Sequence, residues 1–242
     1  MHSNSYIITF VVIMTTVVAA LLALLYTGLK ETHDRNEAIY NKKEILTSID
    51  PTADKMKDEE IEQIFNEKVQ QFVLNASGEP VEGIMAEKVD MAKERKKDAA
   101  DRKYPLYIYE DEGKTYYIVS ARGSGLWDEI WGAIALEEDF KTIAGVAFGH
   151  KAETPGLGAE IKDSKDWKAS FKGKMIYDET RDKYLTVRKG GAKDLTIEVD
   201  AISGSTITGD GVTNMIKAGM TPYFTYFSTL KGEKTGQLIE TN

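Results

Sequence analysis

The chain has 242 residues, a formal net charge of -8 and no cysteine. It therefore offers no thiolate nucleophile, no disulfide and none of the usual ligands of an iron–sulfur cluster. The acidic balance argues against nucleic acid as a partner, because neutralising phosphates takes clustered Lys and Arg, and His2, His33 and His150 are too scattered to match a zinc spacing.

Residues 6–29 carry no charge and are dense in Ile, Val, Leu, Phe and Ala. The run is long enough to cross a bilayer as one helix. A cleaved signal peptide fits less well, since no Lys or Arg precedes the run and no small-residue cleavage site follows it. Residues 1–29 are thus expected to be a transmembrane anchor. Lys30, Arg35, Lys42 and Lys43 follow it, interleaved with Glu31, Asp34, Glu37 and Glu44. That mixture leaves the side of the membrane open.

Residues 30–103 read as a juxtamembrane helical segment and extension. Within it, Ile61, Ile64, Phe65, Val69 and Phe72 lie on one face of a helix expected over 58–73. A turn cluster follows at 75–80. Residues 87–102 are highly charged and read as a solvated helix or a mobile arm.

A compact domain is expected over 104–242. Residues 106–110 and 115–121 alternate around Asp111, Glu112, Gly113 and Lys114, which predicts a β-hairpin. Residues 126–136 read as a short apolar helix or a turn-rich segment, and 142–148 as a strand. A short helix over 163–171 has Ser164 as a candidate cap. Strands are expected at 184–188 and 195–199, and a last helix at about 209–219, ended or kinked by Pro222. Strands and helices mix without βαβ alternation, so the fold class is α+β.

Three stretches carry candidate chemistry. The first runs from Asp200 through Ser203, Gly204, Ser205 and Thr206 to Thr208, between a strand and the last helix. Its hydroxyls and free N–H groups at a helix N-terminus suit an anion, and equally a simple N-cap. The second is His150, Glu153, Thr154, Pro155, Gly156, Leu157 and Gly158, a tight turn directly after a strand. It reads either as an oxygen-binding turn or as a surface turn. The third is Gly123, Ser124, Gly125, Leu126 and Trp127, where the indole offers a flat apolar face or a core filling. No catalytic residue is arguable from spacing.

In this order, behind one N-terminal span, the three stretches resemble the FMN-binding domain family. They are most similar to the C subunits of sodium-translocating NADH:quinone reductases, and similar to the G subunits of Rnf ferredoxin:NAD oxidoreductases. Asp200, Ser203, Gly204, Ser205 and Thr206 follow the family's flavinylation signature, with Ser205 where Ala is usual. The resemblance implies one FMN joined to the Thr206 hydroxyl by a phosphoester and installed by a flavin transferase from FAD. It implies Ser203 and Thr208 donating to the phosphate, Gly204 letting the backbone turn sharply, Ser205 in the cofactor site, and Asp200 read by the transferase or holding the loop. The flavin ring would lie against Leu126, Trp127 and the turn from Thr154 to Leu157, with Gly125, Glu153 and Gly158 also in the cofactor site. It further implies an electron relay in a membrane complex that moves sodium and reduces ubiquinone with NADH, with no complete activity in this chain alone. The implied partners are a second covalent-FMN subunit, subunits bearing iron centres, and membrane lipid. The implied location is the cytoplasmic (inner) membrane of a bacterium, with the flavin domain on the outer, periplasmic face. A membrane-anchored reductase with exchangeable FMN and its own substrate is the competing function.

Overall fold

The computed structural model describes residues 3–240. The chain divides into two units, residues 1–40 and 41–242. The first is helical and belongs to α1 (Asn4–Thr47). An 18-residue window of this helix has a mean hydropathy of 2.8, and none of it is buried. Length and composition thus suit one membrane crossing.

The second unit is built on a five-stranded antiparallel sheet in the order β1 (Val69–Leu74), β2 (Tyr104–Asp111), β3 (Lys114–Ser124), β4 (Glu129–Leu136) and β5 (Ile143–His150). β2 and β3 form the expected hairpin. Asp111 pairs with Lys114 across a two-residue loop. Glu112 and Gly113 there have φ of 48° and 79°, the left-handed pair that matches the twist of a tight hairpin.

Both faces of the sheet are covered. On one face Leu106, Val119, Ile130, Ile134 and Phe148 meet Val212, Met215 and Ile216 of the helix Thr206–Gly219. On the other, Ile118, Ala133, Ala135 and Ala147 meet Ile45, Leu46, Ile61 and Phe65. Each large side chain fully removed from water here contributes about 1.5–3 kcal/mol. This double coverage explains a departure from the sequence reading. Residues 129–136 form a strand, not a helix or turn-rich segment, because a strand buried on both faces loses its polar alternation.

Two further corrections concern helix ends. The helix expected over 58–73 stops early: α2 is Asp58–Lys68, and Val69–Leu74 becomes the edge strand β1 against β2. The charged stretch 87–102 holds only a short turn of helix, α3 (Met91–Glu94), with Asp90 accepting from the N–H groups of Ala92 and Lys93. Arg95 pins it by donating to Gly123 O and Ser124 Oγ, while residues 96–101 are exposed, as a solvated charge run would be.

After β5 come α4 (Glu160–Asp163) and α5 (Lys165–Ala169). Ser164 accepts from Trp167 N at 3.3 Å, the cap expected of it. Short pairs follow: β6 (Tyr177–Asp178) with β7 (Lys183–Tyr184), then β8 (Thr186–Arg188) parallel to β9 (Glu198–Asp200). α6 is Thr206–Gly219 and α7 is Thr221–Glu240. Pro222 thus stands in the first turn of a new helix, where its missing N–H costs nothing. Tyr223 and Phe227 on α7 are buried. The Tyr223 hydroxyl donates to Pro105 O at 2.8 Å and Ser120 O at 3.1 Å, which fastens α7 to the sheet.

Candidate functional site: three loops around one carboxylate

The three stretches converge on Glu153, whose side chain lies where β5 has ended and which is only 5% exposed. One carboxylate oxygen accepts from Trp127 N at 2.9 Å. The other accepts from Thr208 Oγ1 at 2.7 Å. Burial pushes this carboxyl's pKa up. The Trp127 amide, the Thr208 hydroxyl and the amides of Leu126 and Asp128 outweigh it, so the group sits below its ordinary value and is charged at neutral pH. The Glu153 N–H in turn donates to His150 Nδ1 at 3.2 Å.

Glycine makes this approach possible at two of the contacts. A Cβ on Gly125 would fall 2.5 Å from Glu153 Oε1. A Cβ on Gly158 would fall 2.6 Å from Glu153 Oε2 and 2.7 Å from Thr208 Oγ1. The turn itself is tight: the N–H groups of Leu157, Gly158 and Ala159 all donate to Thr154 O, and Gly156 N donates to Glu160 Oε1.

The third loop closes on the second. Gly204 has a φ of 80°, and its position lies 3.5 Å from Gly156 O and from Leu157 Cδ2, measured from where a Cβ would be. Asp200 holds a different place. Its carboxylate accepts from Ala192 N and its carbonyl from Trp167 Nε1, so it pins the 190–192 turn rather than its own loop.

α6 begins at Thr206, three residues before the sequence reading put it. Ser205 occupies the cap position without a capping hydrogen bond from its side chain, and its Oγ is buried with no partner among the described residues. Thr208 is therefore not the cap. It is wholly buried within the first turn, and its hydroxyl is committed to Glu153 rather than free for a phosphate. Thr206 is half-buried, and its hydroxyl makes no hydrogen bond among the described residues. Ser203 is exposed beside it.

The loops present an apolar surface to solvent: Leu126, Trp127 and Leu157, with Thr154 exposed on the same turn. Trp127 is 67% exposed, which removes the core-filling reading of this indole. Ile207 is also exposed, at 56%, next to Thr206. The signal for it in the residue order is that Ile207 stands off the helical stripe of Val212, Met215 and Ile216.

These residues suit a flat, phosphate-bearing ligand. The uncapped start of a fourteen-residue helix stabilises an anion. The orphaned Ser205 hydroxyl adds a donor without an assigned acceptor. The exposed indole and aliphatic side chains suit an aromatic ring. Among the described residues no cluster of His, Asp or Glu is arranged to hold a metal.

An antiparallel sheet that gathers glycine-rich loops at the start of one helix defines a class of ligand-carrying domain, and comparison with known proteins specifies it. The FMN-binding domain model matches residues 125–221, which contain all three loops. The crystal structure of the C subunit of the Na(+)-translocating NADH-quinone reductase from Parabacteroides distasonis superposes with a TM-score of 0.72 and 33% identity, over 82% of this chain and 96% of that one. Shewanella oneidensis NqrC superposes with a TM-score of 0.69 and 29% identity, over 83% and 99%. The C subunit of the Pseudomonas aeruginosa reductase is 38% identical over 121 residues, 48% of this chain and 46% of that protein. That of Haemophilus ducreyi is 35% identical over 134 residues, 52% of each. The chain belongs to the family formed by the C subunits of Na(+)-translocating NADH-quinone reductases. It spans about half the length of the curated relatives it matches.

Proposed function

We propose that the chain carries one FMN, joined through a phosphoester to Thr206, and relays electrons within a membrane-bound, ion-translocating NADH:quinone reductase. One observation carries this reading: an uncapped helix N-terminus that begins at Thr206, beside exposed Leu126, Trp127 and Leu157, with the loops that bear them tied by Glu153. In attachment, a separate flavin transferase would join Thr206 Oγ1, which gives up its proton, to the FMN phosphorus of FAD, while the FAD pyrophosphate bond breaks and AMP leaves. Ser203 and the free N–H groups of the first turn of α6 stabilise the resulting phosphodiester. Gly204 supplies the positive φ that the loop needs. Leu126, Trp127, Thr154, Leu157 and Ile207 shield the ring from water, while Gly125, Glu153, Gly158 and Thr208 hold their loops. Bound FMN supplies the redox chemistry, and the protein sets its burial and hydrogen bonding.

In this reading residues 1–29 anchor the chain in the inner membrane, 30–103 form an extension, and 104–242 carry the flavin on the periplasmic side. The partners are a second covalent-FMN subunit, iron-bearing subunits and the transferase. Sodium and ubiquinone belong to the assembled complex.

The test is the mass of a Thr206-containing peptide from protein made with the transferase. The expected result is a covalent FMN adduct at Thr206, with in-gel ultraviolet fluorescence of the intact chain. An unmodified peptide under those conditions would overturn the attachment. Complete release of flavin by acid would instead favour an exchangeable-FMN reductase.

A further inference from the structure

A second recess lies beside β3 and α6, about one turn further along α6 than Thr208. A cleft of about 280 Å³ opens between the segment around α3 and the wall formed by β3 and α6. On α6 it starts at Gly211, five residues past Thr206, or about 7.5 Å further at about 1.5 Å per residue. The floor is apolar or small, with Met91, Met215 and Ala218. The rim carries Arg95, Arg102 and Lys103.

The charge here is unbalanced. Glu94, a buried carboxylate in the lining, already accepts from Lys97 Nζ at 2.7 Å and from Lys103 N at 3.0 Å. Arg95 reaches Glu129 only at 4.0 Å, and that carboxylate is paired with Arg122 at 2.8 Å. Among the described residues neither Arg102 nor the Lys103 ammonium forms an ion pair. Of the four cations that line the cleft, Arg95, Arg102, Lys103 and Arg122, only Arg122 is closely paired among the described residues, in a chain whose net charge is -8.

The Arg95 and Arg102 guanidinium groups are held in place by neutral partners. Arg95 donates to Gly123 O at 2.8 Å and Ser124 Oγ at 2.7 Å. Arg102 donates to Lys97 O and Arg95 O, each at 3.1 Å. A guanidinium has about five N–H donors, so each keeps donors for a ligand. These bonds orient the groups without neutralising them. That is the preorganised fork that recognises carboxylate or phosphate oxygens.

We propose that this cleft is a binding site for a small amphipathic anion, a phosphate monoester or carboxylate with a compact apolar body. A bare inorganic anion leaves the methionine floor wet. A neutral aromatic leaves the cations unmatched. A molecule with both parts satisfies the two surfaces at once, and methionine adapts to irregular apolar shapes. The volume lies near the lower end of small-molecule sites, about 300–1,000 Å³, which selects a ligand smaller than a dinucleotide. This site is separate from the flavin reading and stands or falls without it.

Calorimetric titration of the full chain, in an uncharged detergent, tests the proposal with phenyl phosphate as the probe. Inorganic phosphate and phenol serve as its two halves. The expected result is saturable binding of one phenyl phosphate per chain, at least about 10-fold tighter than either half. Lys103→Gln and Ala218→Leu should each weaken it about 10-fold or more. Ala218 is exposed, so the leucine fills the cleft without disturbing the core, and an unchanged thermal midpoint checks this. Absence of saturable heat, equal affinity for phosphate alone, or binding indifferent to both variants would overturn the site.

Discussion

Glu153 shows how much one residue can organise. Its charge is buried, yet it is held by amides of the 125–128 turn and by Thr208, so ionisation there stabilises the assembled loops. Truncation would leave those donors without an acceptor. Glu153→Ala should therefore lower unfolding free energy by about 1.5–3 kcal/mol, measured by denaturant titration. Glu153→Gln should recover part of that loss, since it keeps an acceptor for Trp127 N. Equal losses in the two variants would mean that packing, not hydrogen bonding, is the role of Glu153. Thr206 is the contrasting case. Its hydroxyl holds nothing among the described residues. Thr206→Ala should abolish covalent flavin, read by intact mass, while stability stays within about 0.5 kcal/mol.

At the scale of elements, α6 both delivers Thr206 and fills the sheet, and its close approach depends on glycine. A Cβ on Gly211 would lie 2.3 Å from Ser124 O, a backbone atom that cannot swing away. Gly211→Ala should cost about 1–3 kcal/mol by overpacking. It should also disturb the neighbouring 125–128 turn, visible as a changed tryptophan emission. A stability equal to the parent chain would show that α6 can slide without cost. The 125–128 turn is the converse, since Trp127 touches little and stands in solvent. Trp127→Ala should leave unfolding within about 0.5 kcal/mol and retain the flavin, but shift its spectrum or potential. An unaltered spectrum and potential would remove Trp127 from the site.

At the scale of the whole molecule, the β8–β9 region is fastened by charge. Glu198 is buried, accepts from Lys183 Nζ at 2.8 Å and from the amides of Lys193 and Asp194, and its carboxyl is held down at about 2. Thr196 and Arg181 bring Asp194 to about 2, and Thr180 and Arg181 do the same for Asp178. Folded values below the unfolded ones, about 4, mean that this stabilisation is complete above pH of about 5. It is lost as pH falls towards 2. Denaturation midpoints should drop steeply between those limits, and Glu198→Gln should flatten the slope. Identical slopes in the two proteins would remove Glu198 from the acid response.

The loop from Ser203 to Thr208 and its two companions could be read from residue order alone, as could the hairpin at Glu112–Gly113 and the apolar N-terminal run. These are local signals: positive-φ glycines, hydroxyls before a helical stripe, and uncharged length act within a few residues of themselves. The strand nature of 129–136 could not be read so, because burial on both faces of a sheet erases the alternation that marks a strand; nor could the end of α2 at Lys68, because Val69–Leu74 is made a strand by pairing with the distant β2. Nor could the roles within the site. Glu153 and Thr208 stand 55 positions apart, and only the antiparallel sheet brings the 125–128 turn, the turn after β5 and the start of α6 to one carboxylate. The composition and order of the three loops were thus determined by the sequence itself. Which hydroxyl is free and which is bound was decided by tertiary packing, because a hydrogen bond depends on distances that no spacing along the chain encodes.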